Sequence, residues 1–306
     1  MSKFWFTPRT ILLLTIIPGL AKTAVDDKSS PTTRVTLATF SELEKRIGKA
    51  DLRILDARSK ADYDKGHIPG AVWVDVRAAE KLASKPGGLV DKAAWEAWIA
   101  PLGLAPKTET LVYDGRRQLE AARVWWLLSY LGVERVGLVD GNYPLWTTEK
   151  HPVTTEVPTI DPKPFRVEFQ TDKHATRDDV LAAVAAKSAV VVDARTEGEY
   201  NGKSKLAKRG GHIPDACRLE WSNLVGTDGR FLAEPALKAK LAEAGIEERA
   251  GSTAITHCQG GGRSSVDAFV LERLGFKTRN YYLGWSDWGN AENTPVEIDR
   301  RSKSKQ

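Results

Sequence analysis

Apolar residues along this chain recur with two alternating periods. Short runs at Leu52–Leu55, Thr110–Tyr113, Val136–Val139, Ala189–Val192 and Ala254–Thr256 have the length and β-branched character of buried strands. Between them, apolar positions return every third or fourth residue, as in Val124, Trp125, Leu127, Leu128 and Leu131, and again in Val266, Phe269, Val270 and Leu274. That is the period of a helix with a buried face. Both of these helices run into a glycine, Gly132 and Gly275, that can end them. Shorter helices are signalled by the capping spacings Ser41–Glu44 and Thr176–Asp179, by Trp95, Trp98 and Ile99 within Lys92–Ile99, and by Leu237–Ala244. Further strands are expected at Val72–Val74, Ala216–Leu219 and Tyr281–Leu283. Strands alternating with helices predict an α/β fold of mainly parallel sheets flanked by helices, and ligands of such sheets gather at the strands' carboxyl ends.

The same order of signals occurs twice. Asp56–Ala57–Arg58 closes a strand in the first half, followed by Tyr63 and then Gly66–His67–Ile68–Pro69–Gly70–Ala71. The second half has Asp193–Ala194–Arg195, then Tyr200, then Gly211–His212–Ile213–Pro214–Asp215–Ala216. This internal repeat predicts a first domain over 35–150, a linker over 151–164, a second domain over 165–298 and a basic tail over 299–306.

One place differs between the copies. The second-half strand ends at His257–Cys258, and Gln259, Gly260, Gly261, Gly262, Arg263 and Ser264 lead into a helix. Loop N–H groups and a helix N-terminus make an anion site, and the same field favours a thiolate at Cys258. The glycines let the backbone curl. Cys258 is therefore the candidate nucleophile and Arg263 a candidate anion contact; Ser264 and Ser265 are expected to cap the helix. The first half has Asp114 in place of the cysteine, followed by Gly115–Arg116–Arg117–Gln118, so it reads as a structural partner. Residues shared by both halves (Asp56 and Asp193, His67 and His212) read as structural, while Arg195 is retained as a candidate substrate contact. His257 reads as a polar aromatic filling a strand end, Cys217 as a buried space-filler, and Trp285 and Trp288 as core and site wall.

These motifs resemble the tandem-domain rhodaneses, the thiosulfate and 3-mercaptopyruvate sulfurtransferases, over about residues 35–295. The resemblance rests on Asp-x-Arg, Gly-His-Ile-Pro-x-Ala, the Cys258–Ser264 loop, and Gly284–Trp285 with Trp288. It implies an inactive first domain and a catalytic second one, in which Cys258 takes a sulfane sulfur from a small anionic donor and passes it, as a persulfide, to a thiophilic acceptor such as cyanide or a thiol. It implies no cofactor and no metal, with Gln259 to Ser264 and Arg195 around the persulfide. Three departures bear on the donor. Thiosulfate-using relatives carry basic residues after the cysteine, where this loop is neutral at Gln259–Gly261. The mercaptopyruvate-using loop ends Gly-Val-Thr, where this one ends Gly261–Gly262–Arg263. Relatives also tend to place an arginine beside the aromatic that follows Asp-x-Arg; here Glu199 precedes Tyr200, and Lys208 and Arg209 are substitute candidates. Thiosulfate is the favoured donor and 3-mercaptopyruvate the alternative.

Composition narrows the picture. The chain has 306 residues, 28% of them charged, and a net charge of +5. Lys3 and Arg9, the apolar run Ile11–Ile17 and the small residues Gly19 and Ala21 read as a secretory leader over 1–21, cut after Ala21 or Ala24. The run is too short for stable membrane insertion, and the expected location is periplasmic or secreted. Losing the leader removes Lys3 and Arg9 and no acid, so +5 becomes +3, much of it in the tail. No nucleic-acid motif accompanies it, and small molecules are the expected partners, with any acceptor protein unidentified. Two rivals remain. His257–Cys258 and Arg263–Ser264 approximate a tyrosine-phosphatase or arsenate-reductase loop, but with four intervening residues rather than five. A persulfide carrier or sensor without turnover is the other.

Overall fold

The computed structural model describes residues 1–3, 35–247 and 252–298. All elements fall within one compact unit, Arg34–Gln306. The expected leader lies almost wholly outside the described residues, and so does the tail from 299 onward.

The first half contains β1 (Leu37–Ala38), α1 (Phe40–Glu44), β2 (Leu52–Asp56), α2 (Lys60–Lys65), β3 (Ala71–Trp73), α3 (Val76–Ser84), α4 (Lys92–Ile99), β4 (Glu109–Tyr113), α5 (Leu119–Tyr130), β5 (Val136–Val139) and α6 (Tyr143–Thr148). Its five strands run parallel in the order β1-β5-β4-β2-β3. The second half contains α7 (Arg177–Ala186), β6 (Val190–Asp193), α8 (Glu197–Tyr200), β7 (Cys217–Arg218), α9 (Glu234–Glu243), β8 (Thr253–His257), α10 (Gly262–Arg273), β9 (Lys277–Tyr281) and α11 (Gly284–Trp288). Its four parallel strands have the order β7-β6-β8-β9. Among the described residues no helix is long and apolar enough to cross a membrane.

The halves join through their equivalent helices. α5 and α10 are buried along nearly their whole lengths, polar Ser264, Ser265 and Asp267 of α10 included. Trp125 meets Phe269 edge-on with ring centroids 5.1 Å apart, and Trp126 stacks on Tyr282 at 5.0 Å. Such aromatic pairs add about 0.5–1.5 kcal/mol each beyond their buried area. Polar contacts extend the join: the Gln118 amide donates to the Gly229 carbonyl at 2.7 Å and Arg117 Nε to the Val225 carbonyl at 3.1 Å. One apolar core therefore runs through both halves.

The duplicated motifs are braces. Arg58 pairs with Asp56 and donates to the Gly66 carbonyl at 2.7 Å; Arg195 pairs with Asp193 and donates to the Gly211 carbonyl at 2.8 Å. His67 stacks on Tyr63 and His212 on Tyr200, at 3.9 and 3.7 Å. Their Nδ1 atoms lie 3.0 and 2.9 Å from the carbonyls of the same tyrosines. A structural reading for both histidines follows.

Three expectations change. The last strand is β9, Lys277–Tyr281, not Tyr281–Leu283. Polar Thr278 and Asn280 hid the strand in the sequence, and the chain leaves the sheet at Tyr282 because Gly284, at φ +50°, turns it into α11. Cys217 is half-buried rather than enclosed. Part of the 151–164 linker is tied down, with Thr154 bridged to His67 and the Lys163 N–H donating to the Ala100 carbonyl at 3.2 Å.

Candidate active site

Cys258 stands one residue beyond β8, at the carboxyl end of a central strand of the second sheet. It is 2% exposed. The loop after it turns through Gly261, in left-handed backbone at φ +82°, into α10. Two carbonyls of the loop are clamped from α11: Trp285 N–H donates to the Cys258 carbonyl at 2.7 Å and Ser286 N–H to that of Gln259 at 3.0 Å. A Cβ on Gly284 would lie 2.2 Å from the Cys258 carbonyl oxygen, so only glycine lets α11 approach this closely.

The three loop glycines have different reasons. A Cβ at Gly260 would meet open space. At Gly261 it would lie 2.4 Å from the Tyr282 ring, and at Gly262 2.4 Å from an Arg123 guanidinium nitrogen. Two of the three are thus required by neighbours, not only by the curl around an anion.

The electrostatics at sulfur oppose one another. Burial pushes the Cys258 thiol up. The Arg263 charge, the Ser264 hydroxyl and the N–H groups of Ser264 and Gly260 outweigh it, and the thiol is held below its ordinary value. Ser264 Oγ lies 3.5 Å from Sγ, 2.8 Å from Asn280 Oδ1 and 3.0 Å from the Gly261 carbonyl, with one proton to give among them. Ser264 and Ser265 therefore do not cap α10. They sit inside its first turn, where Ser265 Oγ donates to the Gly261 carbonyl at 2.7 Å and Asn280 Nδ2 donates to Ser265 Oγ at 3.1 Å.

Arg263 donates to Glu199 through Nη1 and Nη2, at 2.6 and 2.8 Å. Its charge is thus shared between a carboxylate and the sulfur. Glu199, from α8, also accepts from the Thr196 hydroxyl at 2.8 Å, and the arginine pair outweighs burial to hold its carboxyl below the usual range. Gln259 turns its side chain away, with Nε2 donating to the Leu206 carbonyl at 3.0 Å. Its Oε1 is buried without a hydrogen-bond partner among the described residues.

Arg195, a candidate substrate contact from sequence, is not available for one. Its guanidinium is committed to Asp193 and the Gly211 carbonyl, packs over Trp285 at 4.2 Å and is 1% exposed. Arg209 is likewise occupied, donating to the carbonyls of Trp288 at 2.7 Å and Thr294 at 2.6 Å. Lys208 is exposed. Trp285 and Trp288 are core residues whose indole N–H groups donate to the carbonyls of Arg209 and Pro295, at 3.0 and 2.8 Å.

Two buried titratable residues lie near the thiol: His257, read from sequence as filling a strand end, and Asp267, which the sequence reading did not single out. His257 is held down to about 4, by burial first and the Arg195 charge against the pull of Asp193, so it is neutral at pH 7 and is not the cation that ionises the thiol. Asp267, one turn beyond Arg263 on α10, is fully buried, and among the described residues neither of its oxygens has a hydrogen-bond partner. Burial, then the negative charges of Cys258 and Asp193, push its carboxyl well above the usual range, so it stays protonated.

The first half shows what this loop geometry does with a charge. Asp114 Oδ1 accepts from the N–H groups of Arg116 and Gln118 at 2.9 and 3.3 Å, and Oδ2 from Glu120 and Ala121 at 3.1 and 3.3 Å. Gln118, just before α5, takes φ +65°, as Gly261 takes +82° before α10. The first-half cradle is filled by the chain's own carboxylate; the second-half cradle holds a thiol.

A thiol focused by loop N–H groups, at a strand's end in a duplicated α/β unit, defines a class built for an anionic sulfur. The rhodanese-like domain family matches residues 39–149 and 176–291, and the chain belongs to that family, carrying its domain twice. A thiosulfate sulfurtransferase of Pseudomonas aeruginosa is 35% identical over 265 residues, 84% of this chain and 95% of that protein. Another, of Azotobacter vinelandii, is 31% identical over 260 residues with the same coverage. The crystal structure of SseA from Escherichia coli, described among 3-mercaptopyruvate sulfotransferases, matches with a TM-score of 0.68 at 24% identity over 83% of this chain and 100% of that one. That likeness is of fold.

Proposed function

We propose that this sulfurtransferase takes a sulfane sulfur from thiosulfate onto Cys258 and hands it to a thiophilic acceptor. The observation that carries the reading is the cradle at Cys258, with a lowered thiol, Ser264 Oγ 3.5 Å away and Arg263 beside it. The Cys258 thiolate attacks the outer sulfur of thiosulfate, a new S–S bond forms, and the donor's S–S bond breaks with its electron pair leaving on sulfite. The persulfide anion then rests where the N–H groups of Gly260 and Ser264 converge. An acceptor such as cyanide attacks the outer sulfur, the Cys258 S–S bond breaks, and thiolate and thiocyanate result, a two-stage course through a covalent intermediate.

Thiosulfate is favoured by its use in the names of the relatives that share most of this chain. The neutral loop and the Glu199–Arg263 pair leave the donor's charge less well met than a basic loop would, and 3-mercaptopyruvate is the second reading. A donor panel scored by initial rate, with cyanide as acceptor, decides between them. Higher turnover with 3-mercaptopyruvate than with thiosulfate would reverse the assignment. Stable loading without turnover would support a carrier, and aryl phosphate hydrolysis without loading a phosphatase. We also infer export from the leader pattern at 1–21; intact Met1 on the protein recovered from cells would overturn it.

A further inference from the structure

Arg123 lies on α5, in the half without the thiol, yet its guanidinium reaches the Cys258 loop. It is 6% exposed. Nη1 donates to the Gly260 carbonyl at 3.1 Å and reaches the Tyr282 hydroxyl at 2.9 Å. Nε pairs with Glu120 at 3.2 Å and Nη2 with Glu80 at 3.3 Å. A charged side chain buried this deeply is costly unless its donors are met, and here two carboxylates, a phenol and one loop carbonyl meet them.

The contact with Gly260 sets the orientation of a peptide. In a trans peptide the C=O of Gly260 and the N–H of Gly261 point in opposite directions. Arg123 and the Gly262 N–H, each at 3.1 Å, hold the carbonyl to one side, and the Gly261 N–H, which has no acceptor among the described residues, faces the other. Gly262 is glycine because the guanidinium occupies the space its Cβ would take, 2.4 Å from Nη2. The loop and the arginine are fitted to each other across the join between the halves.

We propose that Arg123 is a positioning residue for sulfur transfer: from the half that lost the thiol, it holds the Gly260–Gly261 peptide so that the loop N–H groups stay turned toward the sulfur on Cys258. The first half is then part of the catalytic apparatus, because its buried arginine fixes a loop peptide of the second half. The inference rests on the reading of Cys258 as the sulfur-bearing residue.

The test compares the full-length protein with Arg123→Lys and Arg123→Ala, below the melting temperature of each. Three quantities are read: the pH dependence of Cys258 alkylation by iodoacetamide, the rate of sulfur loading from thiosulfate, and the melting temperature. Arg123→Ala is expected to load sulfur at least about tenfold more slowly and to shift alkylation to higher pH, with Arg123→Lys between it and the parent, since losing an aligned donor in such a site costs at least that much. A variant that melts lower but alkylates and loads like the parent would reduce Arg123 to glue between the halves; Arg123→Lys decides the matter alone if the alanine variant does not fold. A parent that loads no sulfur would count against the sulfurtransferase reading, while the alkylation profiles would still judge Arg123. The steric fit gives an independent arm. Gly262→Ala is expected to slow loading and lower the melting temperature on its own, and to add nothing once Arg123 is alanine; equal effects in both backgrounds would contradict it.

Discussion

Arg263 and Glu199 form a two-point ion pair, 2.6 and 2.8 Å, beside the Cys258 loop, so the loop's one cation meets the sulfur already half neutralised. Removing the carboxylate charge while keeping the side chain's shape leaves the full arginine charge facing the donor. Glu199→Gln is expected to lower KM for thiosulfate several-fold, to leave kcat little changed, and to move Cys258 alkylation to lower pH. A several-fold change in KM corresponds to about 1 kcal/mol. Steady-state rates across thiosulfate concentrations check it, and a raised KM would show that the carboxylate is needed to aim Arg263.

The lowered thiol has a direct pH consequence. Loading requires the thiolate, so its rate should fall as pH drops through the Cys258 value and should level off above it. Ser264→Ala removes one of the groups that lower that value and should move the fall to higher pH. Stopped-flow loading at a series of pH values checks both.

Asp267 acts on stability in the opposite sense. Its carboxyl is raised in the folded chain, so on unfolding it releases its proton at an ordinary carboxylate value. Stability is thus lost as pH rises above the unfolded value, and the loss continues up to the folded one. Asp267→Asn abolishes the titration. The variant should gain melting temperature relative to the parent at pH 7 and little at pH 4, with Cys258 alkylation unchanged. An equal gain at both pH values would contradict a protonated Asp267.

Asp114 should be a stability residue only. Asparagine in its place would set an amide against four backbone N–H groups. A loss of about 1–3 kcal/mol is expected from Asp114→Asn, with sulfur loading retained. Denaturant unfolding measures the first, and loading by the folded variant the second.

Much of this arrangement was legible in the sequence, for physical reasons. Duplicated strands and helices have strong periodicity, and a cysteine between an apolar strand and a glycine run is a poor choice for packing. Residues that act across the join were not legible. Arg123 stands in Ala121–Ala122–Arg123–Val124–Trp125–Trp126, where a lone cation in an otherwise buried helix was the available signal. Asn280 and Tyr282 reach the loop from β9 and just beyond it, a strand whose polar residues obscured it. Arg195 was misjudged for the converse reason: the Asp-x-Arg spacing shows a cation near the strand's end, but not that its own aspartate closes around it.

The central claim is that Cys258 carries sulfur. Its most direct test is the mass of the intact protein after exposure to thiosulfate and after a chase with cyanide. The chain should gain one sulfur atom, lose it to cyanide with an equivalent of thiocyanate, and do neither as Cys258→Ser. A Cys258→Ser protein that still gains and releases the sulfur, or a parent that gains none from any sulfane donor, would contradict the account.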